Sequence, residues 1–213
     1  MKILFLGDSI TDAARERGSN DAGRVREAYQ LIPRAYGSGF VFLVAAQLFY
    51  EKPNAYEILN RGIAGDRLPQ LYARMQLDVW NEQPDVLSIL VGTNDYQTET
   101  NPNFTDVERW GRIYRMLIRD TQLRCPKTRI LLCEPFTGKP KIKAIQAQYA
   151  MEAKKIAEEF HLPFVPLQTK IENTVAVYGL QTTFHDGTHP NLVGSKAIAE
   201  EWLKIFKQEI ENA

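Results

Sequence analysis

The chain is poor in cysteine, carries no excess charge of either sign and has no long apolar run. Its two cysteines, Cys125 and Cys133, have neither the spacing nor the number of a disulfide framework or a Cys/His metal site. Lysine plus arginine and aspartate plus glutamate both number 26, so the formal net charge is zero. This balance excludes the basic surface that binding to a nucleic-acid backbone requires. No run approaches the roughly 20 apolar residues of a membrane-spanning helix, so neither nucleic acid nor a membrane is expected as a partner.

The amino terminus has only a short apolar stretch, residues 3–6, which runs directly into Gly7, Asp8 and Ser9. A secretory leader has a longer apolar segment and a cleavage site, so we expect a cytoplasmic protein, although a chain whose leader had been removed would look the same. Apolar residues make up 44% and charged residues 24% of 213 residues, the balance of a folded globular protein. We therefore expect a single domain over residues 1–213.

Short apolar runs alternate with longer stretches of helical periodicity. The apolar runs lack the polar alternation of half-exposed strands and predict buried strands at residues 3–6, 56–59, 86–91, 130–133 and 164–165. The periodic stretches predict helices at residues 40–50, 68–80, 107–123, 142–160 and 192–210. Buried strands separated by helices indicate a parallel sheet covered on both faces. The predicted fold is a three-layer α/β/α domain with a mostly parallel, flavodoxin-like sheet of about five strands.

Sheets of this kind bind ligands at the carboxyl ends of their strands. The segments that follow the predicted strands are therefore the candidates for chemistry: residues 7–11, 60–66, 92–95 and 134–137. A long connection at about residues 10–37 also follows the first strand, and connections of this length are uncommon unless they are functional. It carries Arg15, Arg17, Arg24, Arg26 and Arg34. These arginines could shape a pocket, form a subunit contact or simply be a solvated face.

Ser9 is the serine best placed to act as a nucleophile, because it directly follows the first predicted strand. The other serines lie within a strand, within a helix, or at loop and helix-entry positions: Ser88, Ser195, Ser19 and Ser38. A serine in this position can also cap a helix or a turn. Both roles stay open on position alone.

His189 is the histidine best placed to act as a base. It lies in a turn-rich segment before the last helix, with Asp186 three residues earlier. The Asp186 carboxylate can thus reach Nδ1–H and leave Nε2 to accept a proton, as a serine nucleophile requires. His161, at a helix end, is better explained by a structural role. An alternative takes His185 and His189 as metal ligands at i,i+4 spacing, but no third ligand is evident.

Acyl transfer also needs donors aimed at a developing oxyanion. The backbone N–H groups of Ser9 and Gly65 and the side-chain amide of Asn94 all follow predicted strands and could supply them. Gly65 and Asn94 are also ordinary turn residues. The phosphate-loop and dinucleotide-binding motifs are absent from the sequence. The G-x-S-x-G motif is also absent, and its absence argues against an ordinary α/β-hydrolase.

Four segments together resemble the sequence blocks of the SGNH, or GDSL-type, esterase and lipase family. They are Gly-Asp-Ser-Ile at 7–10, Ala-Gly-Asp at 64–66, Gly-Thr-Asn-Asp at 92–95 and Asp-Gly-Thr-His-Pro at 186–190. The blocks occur in order and span nearly the whole chain. The first has isoleucine and threonine where many members have leucine. The resemblance implies a serine ester hydrolase with a Ser9, His189 and Asp186 triad, an oxyanion hole of Ser9, Gly65 and Asn94, and no metal or cofactor.

Within that family, the long connection and the Tyr-Gly-Ser-Gly at 36–39 resemble intracellular carbohydrate acetylesterases, including acetylxylan esterases. This implies an O-deacetylase of small or carbohydrate esters, such as acetylated oligosaccharides. Two alternatives stay open. One is a lysophospholipase or thioesterase that acts on longer acyl chains, and the other is a non-catalytic carbohydrate-binding protein on the same fold. Aromatic residues on the last helix, Trp202 and Phe206, are expected to be exposed, which would suit a homo-oligomer.

Overall fold

The computed structural model describes residues 1–16, 33–96, 102 and 104–211. Within these residues, five parallel strands form one sheet in the order β2-β1-β3-β4-β5. The strands are β1 (Lys2–Gly7), β2 (Glu57–Gly62), β3 (Val86–Leu90), β4 (Arg129–Cys133) and β5 (Phe164–Val165). This is the doubly wound, flavodoxin-like order, so the predicted α/β fold with a parallel sheet is confirmed.

Helices connect the strands and cover the sheet. The described α-helices are α1 (Ser9–Asp12), α2 (Phe40–Glu51), α3 (Leu68–Ala73), α4 (Val107–Arg124), α5 (Lys143–Glu159), α6 (Leu167–Tyr178), α7 (Leu180–Thr183) and α8 (Leu192–Phe206). Short 3-10 turns lie at Pro33–Tyr36 and Pro140–Ile142, and π-helical turns at Gln76–Trp80 and Lys207–Glu211. The sheet thus has helices on both faces, as the apolar character of its strands predicts.

The strands are apolar because both faces of the sheet are covered. All five residues of β3 are buried, and in β1 only Lys2 is partly exposed. On one face, Trp202 of α8 packs against Phe5 of β1, with ring centroids 4.9 Å apart. Elsewhere in the core, Trp110 of α4 packs edge-on against Tyr149 of α5, at 5.6 Å. These aromatic contacts join the helices to the sheet and to each other.

The helical predictions differ from the structure at three places. The helix expected at residues 192–210 is α8 followed by a π-helical turn, Lys207–Glu211. The helix expected at residues 68–80 is α3 followed by a π-helical turn, Gln76–Trp80. A π-helical turn contains one more residue than an α-helical turn, so a search for 3.6 residues per turn does not detect it. Val79 and Trp80 are nevertheless buried. Helix α6 has no counterpart among the predicted helices. Its apolar residues Leu167, Ile171 and Val175 recur at helical spacing, but an exposed apolar residue on another face, Val177, obscures the pattern.

The expectation that aromatic residues of the last helix are exposed is wrong. Trp202 and Phe206 are both 0% exposed, and their rings stack on each other in the core at 4.9 Å. They face inward because α8 covers the sheet, so they offer no surface to a second subunit. The homo-oligomer stays a prediction without that support.

The long connection after β1 is described only at its two ends, and Arg17, Arg24 and Arg26 lie outside the described residues. Arg34 is exposed and pairs with Glu16 at 3.0 Å. Arg15 differs, because its side chain is only 6% exposed and its Nε donates to the carbonyl oxygen of Gly62 over 3.0 Å. Arg15 therefore holds the start of the connection against the end of β2, and it is not part of a solvated face.

The small buried residues of the core include both cysteines, which are free thiols. Cys133 ends β4 with its Sγ 3.6 Å from Ser88 Oγ, and its side chain is buried among the apolar residues of the core. Among the described helices, none is long and apolar enough to cross a bilayer. The cytoplasmic location stays a prediction.

Candidate active site

Ser9 begins α1 directly beyond the carboxyl end of β1. The residue that caps this helix is Asp8, whose Oδ1 accepts a hydrogen bond from the Ile10 N–H over 3.0 Å. The turn requires glycine at position 7, where a Cβ would come within 2.2 Å of Thr11 Oγ1 and 2.5 Å of the Leu90 carbonyl oxygen. The capping role considered for Ser9 is thus filled by its neighbour, and the serine hydroxyl is turned to another partner.

That partner is His189. Ser9 Oγ lies 2.9 Å from His189 Nε2, across 180 positions of sequence. His189 Nδ1 lies 2.9 Å from Asp186 Oδ2. The three side chains form one hydrogen-bonded series in which the imidazole contacts the hydroxyl and the carboxylate orients the imidazole. This arrangement can activate a serine for attack on a carbonyl carbon.

The turn between α7 and α8 is built around the Asp186 carboxylate. Its Oδ1 accepts hydrogen bonds from the N–H groups of Thr188 and His189, both over 2.8 Å. Gly187 permits the turn by adopting a φ of +81°, a conformation that L side chains rarely take. Burial acts to raise the pKa of Asp186, but the bonds from His189 and Thr188 outweigh it and hold that pKa well below its ordinary range. Asp186 is therefore an anion at neutral pH, suited to stabilising an imidazolium.

The other two histidines lie outside this series. His185 pairs with His189 only through the backbone, from its N–H to the His189 carbonyl oxygen over 2.8 Å. Because both ring nitrogens of His189 face Ser9 and Asp186, the geometry does not favour the two-histidine metal site. The described residues contain no group of three or more His, Cys, Asp or Glu placed to hold a metal ion. His161 follows α5 with a φ of +53° and ends that helix.

The loop after β2 carries Gly65, one of the predicted oxyanion donors. Gly65 has a φ of +85°, and a Cβ there would meet no atom within 4 Å. Glycine is thus needed for the backbone conformation and not for space. Asp12 Oδ2 accepts a hydrogen bond from the Ala64 N–H over 3.0 Å, which fastens this loop to the end of α1. The structure therefore holds the Gly65 loop against the helix that begins with Ser9.

Asn94 follows β3, and its Nδ2 donates to the carbonyl oxygen of Asp66 over 3.0 Å. An amide nitrogen carries two hydrogens and can donate twice. The three predicted donors, Ser9, Gly65 and Asn94, thus lie on segments at the ends of β1, β2 and β3, three neighbouring strands. The site is at the switch point of the sheet, where the order reverses beside β1.

Arg74, at the end of α3, was not predicted from the sequence. Its guanidinium donates to the carbonyl oxygens of Arg61 over 2.8 Å and Gly7 over 3.2 Å. It also donates to Asp66 Oδ2 over 2.8 Å and to Asp78. One side chain therefore links the ends of β1 and β2 with Asp66, the residue whose carbonyl oxygen accepts the hydrogen bond from Asn94. The sequence offered no signal for it, because two of its partners are main-chain carbonyl groups, which every residue carries.

Two of the carboxyl groups beneath the site are completely buried. Asp8 and Asp95 are both 0% exposed. Asp95 accepts a hydrogen bond from the Leu68 N–H over 3.1 Å, whereas Asp8 Oδ2 has no hydrogen-bond partner among the described residues. Burial raises the pKa of each to about 7, and the neighbouring negative charges of Asp95 and Asp66 add to the rise at Asp8. Both residues belong to the motif segments, but the motifs alone did not indicate their burial.

The chain is similar to known proteins along most of its length. A sequence model of the GDSL-like lipase/acylhydrolase family matches residues 5–197. An acetylxylan esterase of Geobacillus stearothermophilus is 28% identical over 216 residues, which cover 95% of this chain and 92% of that protein. A crystal structure of an acetylxylan esterase from the same organism has a TM-score of 0.83, at 28% identity, covering 96% of this chain and 93% of the other.

Two further solved structures are similar over nearly their whole length. A protein from Parabacteroides merdae that bears the name GDSL-like lipase has a TM-score of 0.87 at 36% identity, covering 98% of this chain and 96% of its own. LAE5, an α/β-hydrolase enzyme from the Lake Arreo metagenome, has a TM-score of 0.85 at 27% identity, covering 97% and 94%. Structures of the Geobacillus esterase with a serine or an aspartate changed to alanine are described as catalytic mutants.

Proposed function

Because the chain belongs to the GDSL-like lipase/acylhydrolase family and is a carboxylic ester hydrolase, we propose that it removes acetyl groups from small or carbohydrate esters with Ser9 as its nucleophile. The observation that carries the proposal is the series from Ser9 through His189 to Asp186, with 2.9 Å at each of its two contacts. Similarity to an acetylxylan esterase supports the acetyl group and the carbohydrate as the substrate class.

In the first half of the reaction, His189 Nε2 accepts the hydroxyl proton as Ser9 Oγ attacks the ester carbonyl carbon. Asp186 stabilises the imidazolium that forms. The carbonyl oxygen becomes an oxyanion that accepts hydrogen bonds from the N–H groups of Ser9 and Gly65 and from Asn94 Nδ2. Each such donor contributes about 3 kcal/mol of transition-state stabilisation. The bond to the alcohol oxygen then breaks, and His189 gives its proton to the departing alkoxide.

The second half returns the enzyme to its starting state. A water molecule loses a proton to His189 Nε2 and attacks the acetyl-serine carbonyl carbon. The same donors hold the second oxyanion. When the intermediate collapses, Ser9 Oγ leaves and takes the proton from His189, and acetic acid is released, which loses its remaining proton to water. Side chains therefore supply the base and the nucleophile of both half-reactions, and two main-chain N–H groups and one side-chain amide supply the oxyanion donors.

The test is hydrolysis of p-nitrophenyl acetate, butyrate and octanoate by the wild type and by Ser9→Ala. We expect acetate to be hydrolysed fastest and the variant to lose nearly all turnover while it keeps the melting temperature of the wild type. An organophosphonate should label the wild type covalently and should fail to label Ser9→Ala. A preference for octanoate would replace the deacetylase by a lysophospholipase or thioesterase, and turnover that survives in Ser9→Ala would overturn the triad.

A further inference from the structure

A cavity of about 430 Å³ lies against the turn that carries Asp186. Residues 138–142, after β4, form one wall, and residues 180–181 and 184–187 form the other. The two walls are joined by a hydrogen bond from the Gly138 N–H to the Gly187 carbonyl oxygen over 2.9 Å. The volume falls within the range of small-molecule sites, about 300–1,000 Å³. The cavity is therefore a built recess, large enough for a sugar-sized group.

The leaving alcohol of an ester departs on the side of the general acid. In the proposed reaction His189 protonates the departing oxygen, so the alcohol portion lies beside this imidazole. Only the imidazole ring and its two hydrogen bonds separate Ser9 Oγ from Asp186, which lines the cavity. An alcohol portion that extends past His189 therefore runs toward this recess.

Two lysines give the cavity its charge. Within the described part of the chain, the ammonium groups of Lys139 and Lys141 have neither an ion pair nor a hydrogen bond. The next lysine along, Lys143, is by contrast paired with Glu172 at 2.8 Å. The aliphatic part of Lys139 packs on the turn between α7 and α8. It lies so close to Gly187 that a Cβ at that position would come within 2.8 Å of Lys139 Cγ. This leaves positive charge at a defined place on the cavity wall.

The other groups of the wall are compatible with an anionic ligand. Asp186 is a negative group there, but hydrogen bonds from Thr188 and His189 engage both of its carboxylate oxygens. Leu180 and Ile142 supply apolar contact area for the body of a ligand. Unpaired lysines above an apolar surface favour a group with an apolar face and a negative charge.

We infer that this cavity binds the alcohol portion of the substrate and favours esters whose alcohol portion carries an anionic group, a carboxylate or a phosphate. The inference rests on the proposed function, because it takes acyl transfer at Ser9 as given. It adds a charge preference on the leaving-group side, which neither the triad nor the oxyanion donors specify.

The experiment compares matched acetyl esters on the full-length protein. One pair is an acetylated xylo-oligosaccharide with and without a uronic acid, and the other is an acetylated sugar with and without a phosphate. We expect the wild type to prefer the anionic member of a pair. Lys139→Gln/Lys141→Gln should lower the anionic-to-neutral ratio of kcat/KM about five- to tenfold, mainly through KM. About 0.5 M salt should lower the ratio in the wild type as well.

Lys154→Gln/Lys155→Gln is the matched control, because it removes the same charge from helix α5, outside the cavity. It should keep the wild-type ratio. Calorimetric binding of the deacetylated anionic oligosaccharides to Ser9→Ala gives a second readout that needs no turnover. A preference for uronate or for phosphate supports the inference and identifies the source of the charge. An equal ratio in the wild type and the Lys139/Lys141 variant overturns it, whereas absence of Ser9-dependent turnover on the neutral esters overturns the proposed function instead.

Discussion

Asn94 and Asp66 are joined by a hydrogen bond from the amide Nδ2 to the main-chain carbonyl oxygen, over 3.0 Å. Asn94 follows β3 and Asp66 follows β2, and β1 lies between these strands in the sheet. The bond therefore spans the end of the strand that leads into Ser9. It also fixes the amide orientation, because only the NH2 end of the side chain can donate to a carbonyl oxygen.

Replacement of this amide tests its proposed role as an oxyanion donor. We expect Asn94→Ala to lower kcat for p-nitrophenyl acetate about 10²- to 10³-fold with little change in KM, since the lost bond forms only in the transition state. Steady-state kinetics measure kcat and KM, and a thermal melt of the same sample shows whether the variant is still folded. A raised KM with kcat intact would instead make Asn94 a residue that binds the ground state.

The Asp186 carboxylate can be tested by a nearly isosteric change. Asp186→Asn removes the negative charge beside His189 Nδ1 and can place an NH2 group against it, which turns the imidazole to the wrong tautomer. We expect a loss of about 10³- to 10⁴-fold in kcat/KM. Circular dichroism should show an unchanged fold. If the variant kept more than a tenth of the wild-type activity, Asp186 would not be the group that orients His189.

The sequence alone indicates those groups of the candidate site that are recognised by residue type and position. It does not indicate the groups whose role depends on partners distant in the chain. Ser9, Asp186 and His189 could be found because few residues of these types follow predicted strands or precede the last helix. Their two contacts of 2.9 Å are a property of the fold. Arg74 could not be found, because its role is defined by two main-chain carbonyl groups.

The prediction of strands and helices is limited in the same way, because it depends on local patterns of apolar residues. The strands were predicted well because burial on both faces leaves short apolar runs, whereas the apolar stretch of helix α2 is longer and continues at helical length. Helix α6 was missed although Leu167, Ile171 and Val175 recur at helical spacing, since the exposed Val177 obscures its apolar face. The π-helical turn after α3 was missed because one added residue shifts the phase of the periodic pattern without exposing Val79 or Trp80.

Arg74 should act as a positioning residue. Arg74→Met leaves the Gly7 and Arg61 carbonyl groups and the Asp66 carboxylate without this donor. We expect kcat for p-nitrophenyl acetate to fall by up to about 100-fold through displacement of the Ser9 turn and of the loop that carries Gly65 and Asp66, with KM nearly unchanged. Stability should fall by about 2–4 kcal/mol in urea unfolding, because buried acceptors lose their partner.

Arg74→Lys separates positioning from support of the fold. The ammonium keeps the charge beside Asp66 and Asp78 but cannot contact all four partners at once. We therefore expect most of the stability to return and most of the lost kcat to stay lost. If stability and kcat recovered to the same extent in Arg74→Lys, Arg74 would only stabilise the fold.

The buried pair Asp8 and Asp95 gives the stability of the protein an unusual pH dependence. Burial raises the pKa of each from an ordinary 3.8 to about 7. Between these values the folded protein keeps protons that the unfolded chain has lost. The protons on Asp8 and Asp95 therefore contribute fully to the free energy of unfolding below about pH 4, and this contribution is lost as the pH rises through about 7.

Asp8→Asn removes one of these titrations and keeps the Oδ1 acceptor for the Ile10 N–H. We expect the melting temperature of the variant to fall less steeply than that of the wild type between about pH 4 and pH 7. At higher pH the variant should gain stability relative to the wild type, because it no longer buries that charge. Glu158→Gln, an exposed change on α5, should follow the wild-type curve. Parallel curves for Asp8→Asn and the wild type would mean that Asp8 is already ionised in the folded protein at acidic pH.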